Sequence, residues 1–225
     1  MGLAEKKSVS LGAWVGLFVC LQIIGPLSKY LFKTFGAHSP ALDFSSLFFT
    51  HLLMLLVLGV VMRRDVDFMG SLRVYAANFI KDFGIAIMTS VLLSGIGALM
   101  LYYGVQGYAF AGNGALIRNL AGSMGSGIQG KLLMYASFGL VGPIFEEVFY
   151  RRLLYVSLRQ RYSMLRALIV GALLFALVHP EALFFQLIVG ATYCYLYERY
   201  KRLSILIFSH MICNVAIITY AMARY

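Results

Sequence analysis

Residues 145–151 read FEEVFYR and place two adjacent carboxylates, Glu146 and Glu147, and the guanidinium of Arg151 inside an otherwise apolar segment, Leu132 to about Leu158. Ionisable side chains at bilayer depth cost at least about 2.5–3.5 kcal/mol each on insertion scales, so they normally mark function. The other acidic residues of the chain fall near the ends of apolar segments or in loops. The stretch therefore predicts a functional site inside a membrane span.

The composition indicates a polytopic membrane protein. The 225 residues are 61% hydrophobic and 12% charged, whereas a soluble domain is usually about 45–50% apolar and about 25% charged. The predicted fold class is all-α, a polytopic transmembrane helical bundle. Because a span needs roughly 20 apolar residues, seven spans are predicted: Leu11–Leu31, Phe44–Met62, Phe83–Tyr103, Leu132–Leu158, Met164–His179, Ala182–Tyr197 and Leu203–Met222.

We expect one integral-membrane domain over residues 1–225. Residues 1–131 hold the first three spans and a Gly-rich loop without motifs, and residues 132–225 form the catalytic four-span core. The loop Gly104–Gly130 is either a flexible external loop or a substrate-gating segment. Segment Asp65–Asp82 is amphipathic and is predicted to lie along the cytoplasmic interface.

Prolines predict two local features of the four-span core, a hairpin and a helix interruption. The fifth and sixth spans are short and joined only by Pro180-Glu181, which predicts a tight helical hairpin. The fourth span contains Gly142-Pro143 just before the acidic pair. A proline removes a backbone donor and kinks a helix, and the backbone groups opened there can bind water or substrate.

The charge distribution predicts the topology. The net charge is +10, and most Lys and Arg residues lie in short loops on one side of the predicted spans. The positive-inside rule then places the N-terminus in the cytoplasm. Because this rule accounts for the basic loops, the net positive charge does not indicate nucleic acid as a partner. The first apolar run is interpreted as a retained helix. Cys20, Cys194 and Cys213 fall within spans and predict no disulfide.

Four polar side chains fall at one depth. At a rise of about 1.5 Å per residue, Glu146 and His179 lie roughly 20 Å from the cytoplasmic ends of their spans, and His210 and Asn214 roughly 12 and 18 Å from theirs. His210 and Asn214 share a helical face at i,i+4, as do Phe175 and His179. Three helices thus converge on one layer of the membrane.

Water activation is the chemistry that such a set can perform. Glu147 and Arg151 are i,i+4 and can pair, which leaves Glu146, about 100° round the helix, free to face a cavity as general base. A histidine across the cavity can hold the water, and a His/Asn pair can donate hydrogen bonds to an oxyanion. The isolated His51 is interpreted as a helix–helix hydrogen bond.

The polar residues of the last four spans resemble, in order, the three motifs of the CAAX-processing and bacteriocin-processing (CPBP, or abortive-infection) family: Glu146-Glu147-x-x-x-Arg151, Phe175-x-x-x-His179 and His210-x-x-x-Asn214. This family includes the Ras-converting CAAX endopeptidase. The resemblance covers about Leu132–Tyr225. Its CAAX-processing members have eight helices, so an eighth span is the alternative to seven.

The resemblance implies an intramembrane glutamate-type endopeptidase without a cofactor. Its implied roles are water activation by Glu146, water binding by His179, oxyanion stabilisation by His210 and Asn214, and support of the site by Glu147, Arg151 and Phe175. Known substrates of the family are prenylated CAAX termini, bacteriocin or pheromone precursors, and C-terminal sorting signals. We expect a compact member from a prokaryotic cell membrane that acts on a small peptide or lipoprotein-like precursor.

Two alternatives stay open. Two Glu and two His could ligate zinc in a metalloprotease, although the chain has no His-Glu-x-x-His sequence and Arg151 already supplies a neutralising charge. The second alternative is a non-catalytic membrane scaffold of a signalling or immunity system. A transporter is disfavoured because no paired repeat of broken helices is present in the sequence.

Overall fold

The computed structural model describes residues 40–62, 68–103 and 127–224, together with a few isolated positions before residue 40. These residues form helices and no strand, which confirms the all-α class. The helices are α1 Pro40–Met62, α2 Phe68–Tyr102, α3 Gly127–Arg159, α4 Met164–Leu177, α5 Leu183–Tyr200 and α6 Leu203–Arg224. The predicted first span and most of the loop Gly104–Gly130 lie outside the described residues.

Three of the helices in the described ranges are long and apolar enough to cross a membrane. They contain Ala76–Met100 of α2, all of α3, and Leu203–Tyr220 of α6. α4 is apolar but has 14 residues, so it rises only about 21 Å and falls short of a hydrocarbon core of about 30 Å. Seven or eight spans are therefore not confirmed within the part of the chain that the structure describes.

α3 lies at the centre and changes its helical register along its length. Two π-helical segments, Tyr135–Val141 and Val148–Tyr155, flank the α-helical segment Gly142–Glu147. π-Helical turns inside α-helices occur frequently at functional sites. The predicted interruption at Gly142-Pro143 coincides with the end of the first π-helical segment. α3 contacts α1, α4, α5 and α6.

The predicted hairpin is confirmed by α4 and α5. They are joined through the 3₁₀ turn Pro180–Ala182 and pack against each other. A Cβ atom at Gly190 of α5 would lie 3.0 Å from Cα of Ala172 in α4, so the two backbones are in close contact. This packing fixes the position of His179, which precedes the turn.

α2 is longer than predicted and carries a buried acid. It begins at Phe68, so most of the segment predicted to lie along the interface continues into the span as one helix. Asp82 is 0% exposed; its Oδ1 lies 2.6 Å from a guanidinium nitrogen of Arg202, and its Oδ2 accepts a hydrogen bond from Ser204. Asp82 therefore ties α2 to the first turn of α6.

Candidate active site

Glu147 and Arg151 form a fully buried ion pair in α3. Glu147 Oε2 lies 3.2 Å from Arg151 Nε, and the two side chains are 0% and 1% exposed. The guanidinium carbon lies 4.3 Å from the ring centre of Phe175 and 5.3 Å from that of Tyr193. Charge pairing and contact with aromatic faces make a buried guanidinium tolerable. The predicted Glu147–Arg151 pairing is confirmed, and Phe175 supports it.

His210 is oriented by the same carboxylate. Its Nδ1 lies 2.8 Å from Glu147 Oε1, and because a carboxylate only accepts, Nδ1 carries the hydrogen. The other ring nitrogen, Nε2, then lies 4.0 Å from Glu146 Oε2. A carboxylate that holds one imidazole nitrogen fixes the tautomer and aims the other nitrogen.

His179 is oriented by a main-chain carbonyl. It lies beyond the end of α4, with φ −125° and ψ 59°, where a helix leaves carbonyl groups without main-chain donors. His179 Nδ1 lies 2.9 Å from the Phe175 carbonyl oxygen and therefore donates to it. Its Nε2 lies 3.9 Å from Glu146 Oε2.

Glu146 faces both imidazoles. Its Oε2 atom is buried and has no hydrogen-bond partner among the described residues, while the side chain as a whole is 21% exposed. The distances of 3.9 and 4.0 Å to His179 and His210 exceed those of direct hydrogen bonds and suit groups bridged by one small molecule. The structure thus brings together three of the four residues predicted to be catalytic.

Asn214, the fourth, contacts α3 one turn further along α6. Its Nδ2 donates to the Phe138 carbonyl oxygen at 2.8 Å. Gly142 N–H bonds to the Ser137 carbonyl five residues earlier, and in this register the next donor, to Phe138, would be residue 143. Pro143 has no N–H, so Asn214 replaces the missing donor. The backbone acceptor that was predicted to be open to water or substrate is thus bonded by a side chain.

Tyr193 belongs to the site and was missed by the sequence analysis. Its ring contacts the Arg151 guanidinium, and its hydroxyl donates to Ser209 Oγ at 3.0 Å. Ser209 in turn lies 3.1 Å from Ser90 Oγ in α2. A tyrosine in an apolar helix gives no periodic signal of its own; only the packing of α5 beside α3 and α6 identifies it.

The arrangement of these carboxylates and imidazoles bears on the zinc alternative. Among the described residues, no group of three or more His, Cys, Asp or Glu side chains is arranged to hold a metal ion. Glu147, which the zinc alternative would use, already bonds His210 through Oε1 and pairs with Arg151 through Oε2.

The site described above is a buried carboxylate oxygen of Glu146 that faces the imidazoles of His179 and His210. Residues 128–216 match the family model described as type II CAAX prenyl endopeptidase Rce1-like. This segment, which is less than half of the chain, contains all three motifs, so the comparison supports the predicted resemblance to the CPBP family.

One relative is similar to this chain over part of its length. The protein named "Putative membrane peptidase YdiL" from Bacillus subtilis (strain 168) is 30% identical over 93 residues. The similar region is 40% of this chain and 38% of that protein, so the chain matches well under half of its relative's length. No solved structure matches the chain significantly.

Proposed function

We propose that the protein is an intramembrane endopeptidase that hydrolyses a peptide bond near the terminus of a membrane-associated peptide or protein, with Glu146 as general base. One observation carries the proposal: the buried Glu146 Oε2 faces the Nε2 atoms of His179 and His210 at 3.9 and 4.0 Å. A carboxylate and two oriented imidazoles are sufficient to activate water and to stabilise the charge that develops on the substrate.

His179 binds the nucleophilic water. Its Nδ1–H is bonded to the Phe175 carbonyl, so in the neutral imidazole Nε2 is an acceptor. The water donates one hydrogen to His179 Nε2 and the other to Glu146 Oε2. Glu146 removes the second proton as the water oxygen attacks the peptide carbonyl carbon, and it later delivers this proton to the leaving amine nitrogen.

His210 and Asn214 stabilise the oxyanion. His210 acts in its doubly protonated form, with Nδ1–H on Glu147 and Nε2–H directed to the oxyanion. The two positive charges of His210 and Arg151 then balance the two carboxylates. Asn214 uses one amide hydrogen on Phe138, and since a primary amide has two, the second is its contribution to the oxyanion hole.

The charged end of the bundle supports an orientation. Arg159 and Lys201 both bind Glu198, and Arg202 binds Asp82. The end of α3, the end of α5 and the start of α6 therefore meet in one polar band, which also includes Asp82 of α2. We assign this band to the cytoplasmic surface of a prokaryotic cell membrane, as the positive-inside rule requires. The proposed substrate is a membrane-associated peptide or protein, and the proposal includes both lipid-modified and membrane-spanning substrates.

The test is cleavage of a quenched peptide library, with prenylated and unmodified members, by purified protein in detergent. Glu146→Gln is expected to lower the cleavage rate by about 100-fold or more, the usual contribution of a general base. Glu198→Gln makes the same chemical change outside the site and is expected to leave the rate near that of wild type. A zinc chelator is expected to have no effect.

Three results would contradict the proposal. Cleavage that a chelator abolishes and zinc restores would establish the zinc-dependent alternative. Equal cleavage by wild type and Glu146→Gln would exclude Glu146 as the base. If a folded wild-type protein cleaved no class of peptide, the result would favour the alternative of a non-catalytic membrane scaffold.

A further inference from the structure

His51 of α1 packs directly against the helix that carries the acidic pair. A Cβ atom placed on Gly142 would lie 3.4 Å from His51 Cε1 and 3.7 Å from His51 Nδ1. Because residue 142 has no side chain, the imidazole can approach the α3 backbone this closely. The ring centres of His51 and Phe145 are 6.3 Å apart, so the imidazole also contacts the residue that precedes Glu146.

This position is close to the general base. Gly142 and Glu146 are separated by four residues and share one face of α3, so a ring that lies over Gly142 is one turn away from Glu146. The distances at Gly142 place the His51 imidazole beside the helical face that carries Glu146. His179 and His210 approach Glu146 from α4 and α6, and His51 approaches from α1.

The Nδ1 atom of His51 is buried and has no hydrogen-bond partner among the described residues. His51 was predicted to make a helix–helix hydrogen bond, but its Nδ1 makes none with the described part of the chain. A buried polar atom without a partner costs about 1–3 kcal/mol, and such atoms in native proteins need an explanation.

A peptide substrate in a membrane carries hydrogen-bonding groups that could pair with His51 Nδ1. Its main-chain N–H and C=O groups must be satisfied by protein where water is scarce. We propose that His51 is a substrate-binding residue of this site and that its Nδ1 hydrogen-bonds the main chain of the peptide beside the scissile bond. This inference rests on the proposed peptidase function and adds a residue that none of the three motifs contains.

Kinetics of three variants test the role of Nδ1. His51→Phe keeps a ring against Gly142 and removes the hydrogen bond; kcat/KM is expected to fall roughly 3- to 10-fold, the effect of one hydrogen bond, with most of the change in KM. His51→Asn places an amide near the position of Nδ1 and is expected to recover most of the loss. His51→Gln, whose amide reaches the position of Nε2, is expected to recover little.

Leu55→Ala is the matched control on α1. Leu55 is one turn from His51 and packs against the hydrophobic core, so its truncation lowers stability without removing a polar group. We expect its KM to stay near that of wild type. A wild-type KM for His51→Phe, or a raised KM for Leu55→Ala equal to that of His51→Phe, would overturn the proposal and leave a packing role.

A second measurement does not depend on turnover. The chain has four histidines, so the nitrogen NMR spectrum of histidine-labelled protein is simple, and His51→Phe identifies the His51 signals. We expect these signals to shift in Glu146→Gln and to be unchanged in Glu198→Gln. Unshifted signals in Glu146→Gln would overturn the placement of His51 in the site. Shifted signals in a protein that cleaves no peptide would instead show that the peptidase function has failed while the geometry holds.

Discussion

His210 Nδ1 lies 2.8 Å from Glu147 Oε1, while the other oxygen of this carboxylate lies 3.2 Å from Arg151 Nε. One fully buried carboxylate therefore balances the guanidinium inside α3 and aims the imidazole of α6 at Glu146. The proposed catalytic role and the stability of the bundle involve the same side chain, so variants that change one of them at a time are needed to separate the two.

Glu147→Ala removes the counter-charge of a guanidinium that is 0% exposed. A buried charge left without its partner typically costs about 3–5 kcal/mol, and His210 also loses its orienting acceptor. We expect a large loss of stability in denaturant unfolding in detergent, together with loss of cleavage. Arg151→Met added to Glu147→Ala is expected to restore part of the stability and none of the activity. If the loss of unfolding free energy in the double variant equalled the sum of the losses in the two single variants, the result would contradict an energetic coupling between Glu147 and Arg151.

Asn214→Ala leaves the Phe138 carbonyl without its donor. We expect a loss of about 1 kcal/mol of unfolding free energy, the net value of one hydrogen bond, and loss of cleavage. Adding Pro143→Ala provides a main-chain N–H in the register that Gly142 already uses, so stability is expected to recover in part. Cleavage is expected to stay low because both amide hydrogens are absent. Recovery of cleavage together with stability would show that Asn214 has only a structural role.

Gly190→Ala is expected to separate the hairpin helices that position His179. The added Cβ would lie 3.0 Å from Ala172 Cα and 3.2 Å from its carbonyl oxygen. Overpacking of this kind typically costs about 1–3 kcal/mol. Gly84→Ala in α2 is the control, because no atom lies within 4 Å of its added Cβ; alanine there is expected to leave stability equal or slightly higher. Equal thermal stabilities of the two variants would contradict the close contact.

The polar band makes the folding stability depend on pH. Burial alone would raise the pKa of Glu198, but hydrogen bonds from Arg159, Lys201 and Tyr155 lower it to about 2, below its ordinary value of 4.5. A lowered pKa means that the ionised form is stabilised by folding, so this contribution is complete above pH 4.5 and is lost as the pH falls toward 2. In thermal unfolding, wild type is expected to exceed Glu198→Gln near neutral pH and to lose this advantage below pH 4.5. A difference that stays constant with pH would contradict this contribution.

Short-range features were predictable from the sequence. The i,i+4 pairing of Glu147 and Arg151, the hairpin at Pro180 and the interruption at Pro143 each depend on residues close together in the chain, where helical periodicity and proline chemistry decide the geometry. The convergence of Glu146, His179 and His210 also followed from counting depth along apolar helices. The number of spans did not follow, because hydropathy could not show that α2 begins at Phe68 or that α4 has only 14 residues.

The sequence by itself determined which polar groups lie in apolar helices and which of them share a face, because both follow from composition and a fixed rise per residue. Only the tertiary structure decided which groups bond to which. Asn214 bonds to a carbonyl 76 residues away, His210 to a carboxylate 63 residues away, and His51 packs against Gly142. These pairings depend on the rotation and separation of packed helices and on the π-helical register of α3, and no one-dimensional pattern encodes them.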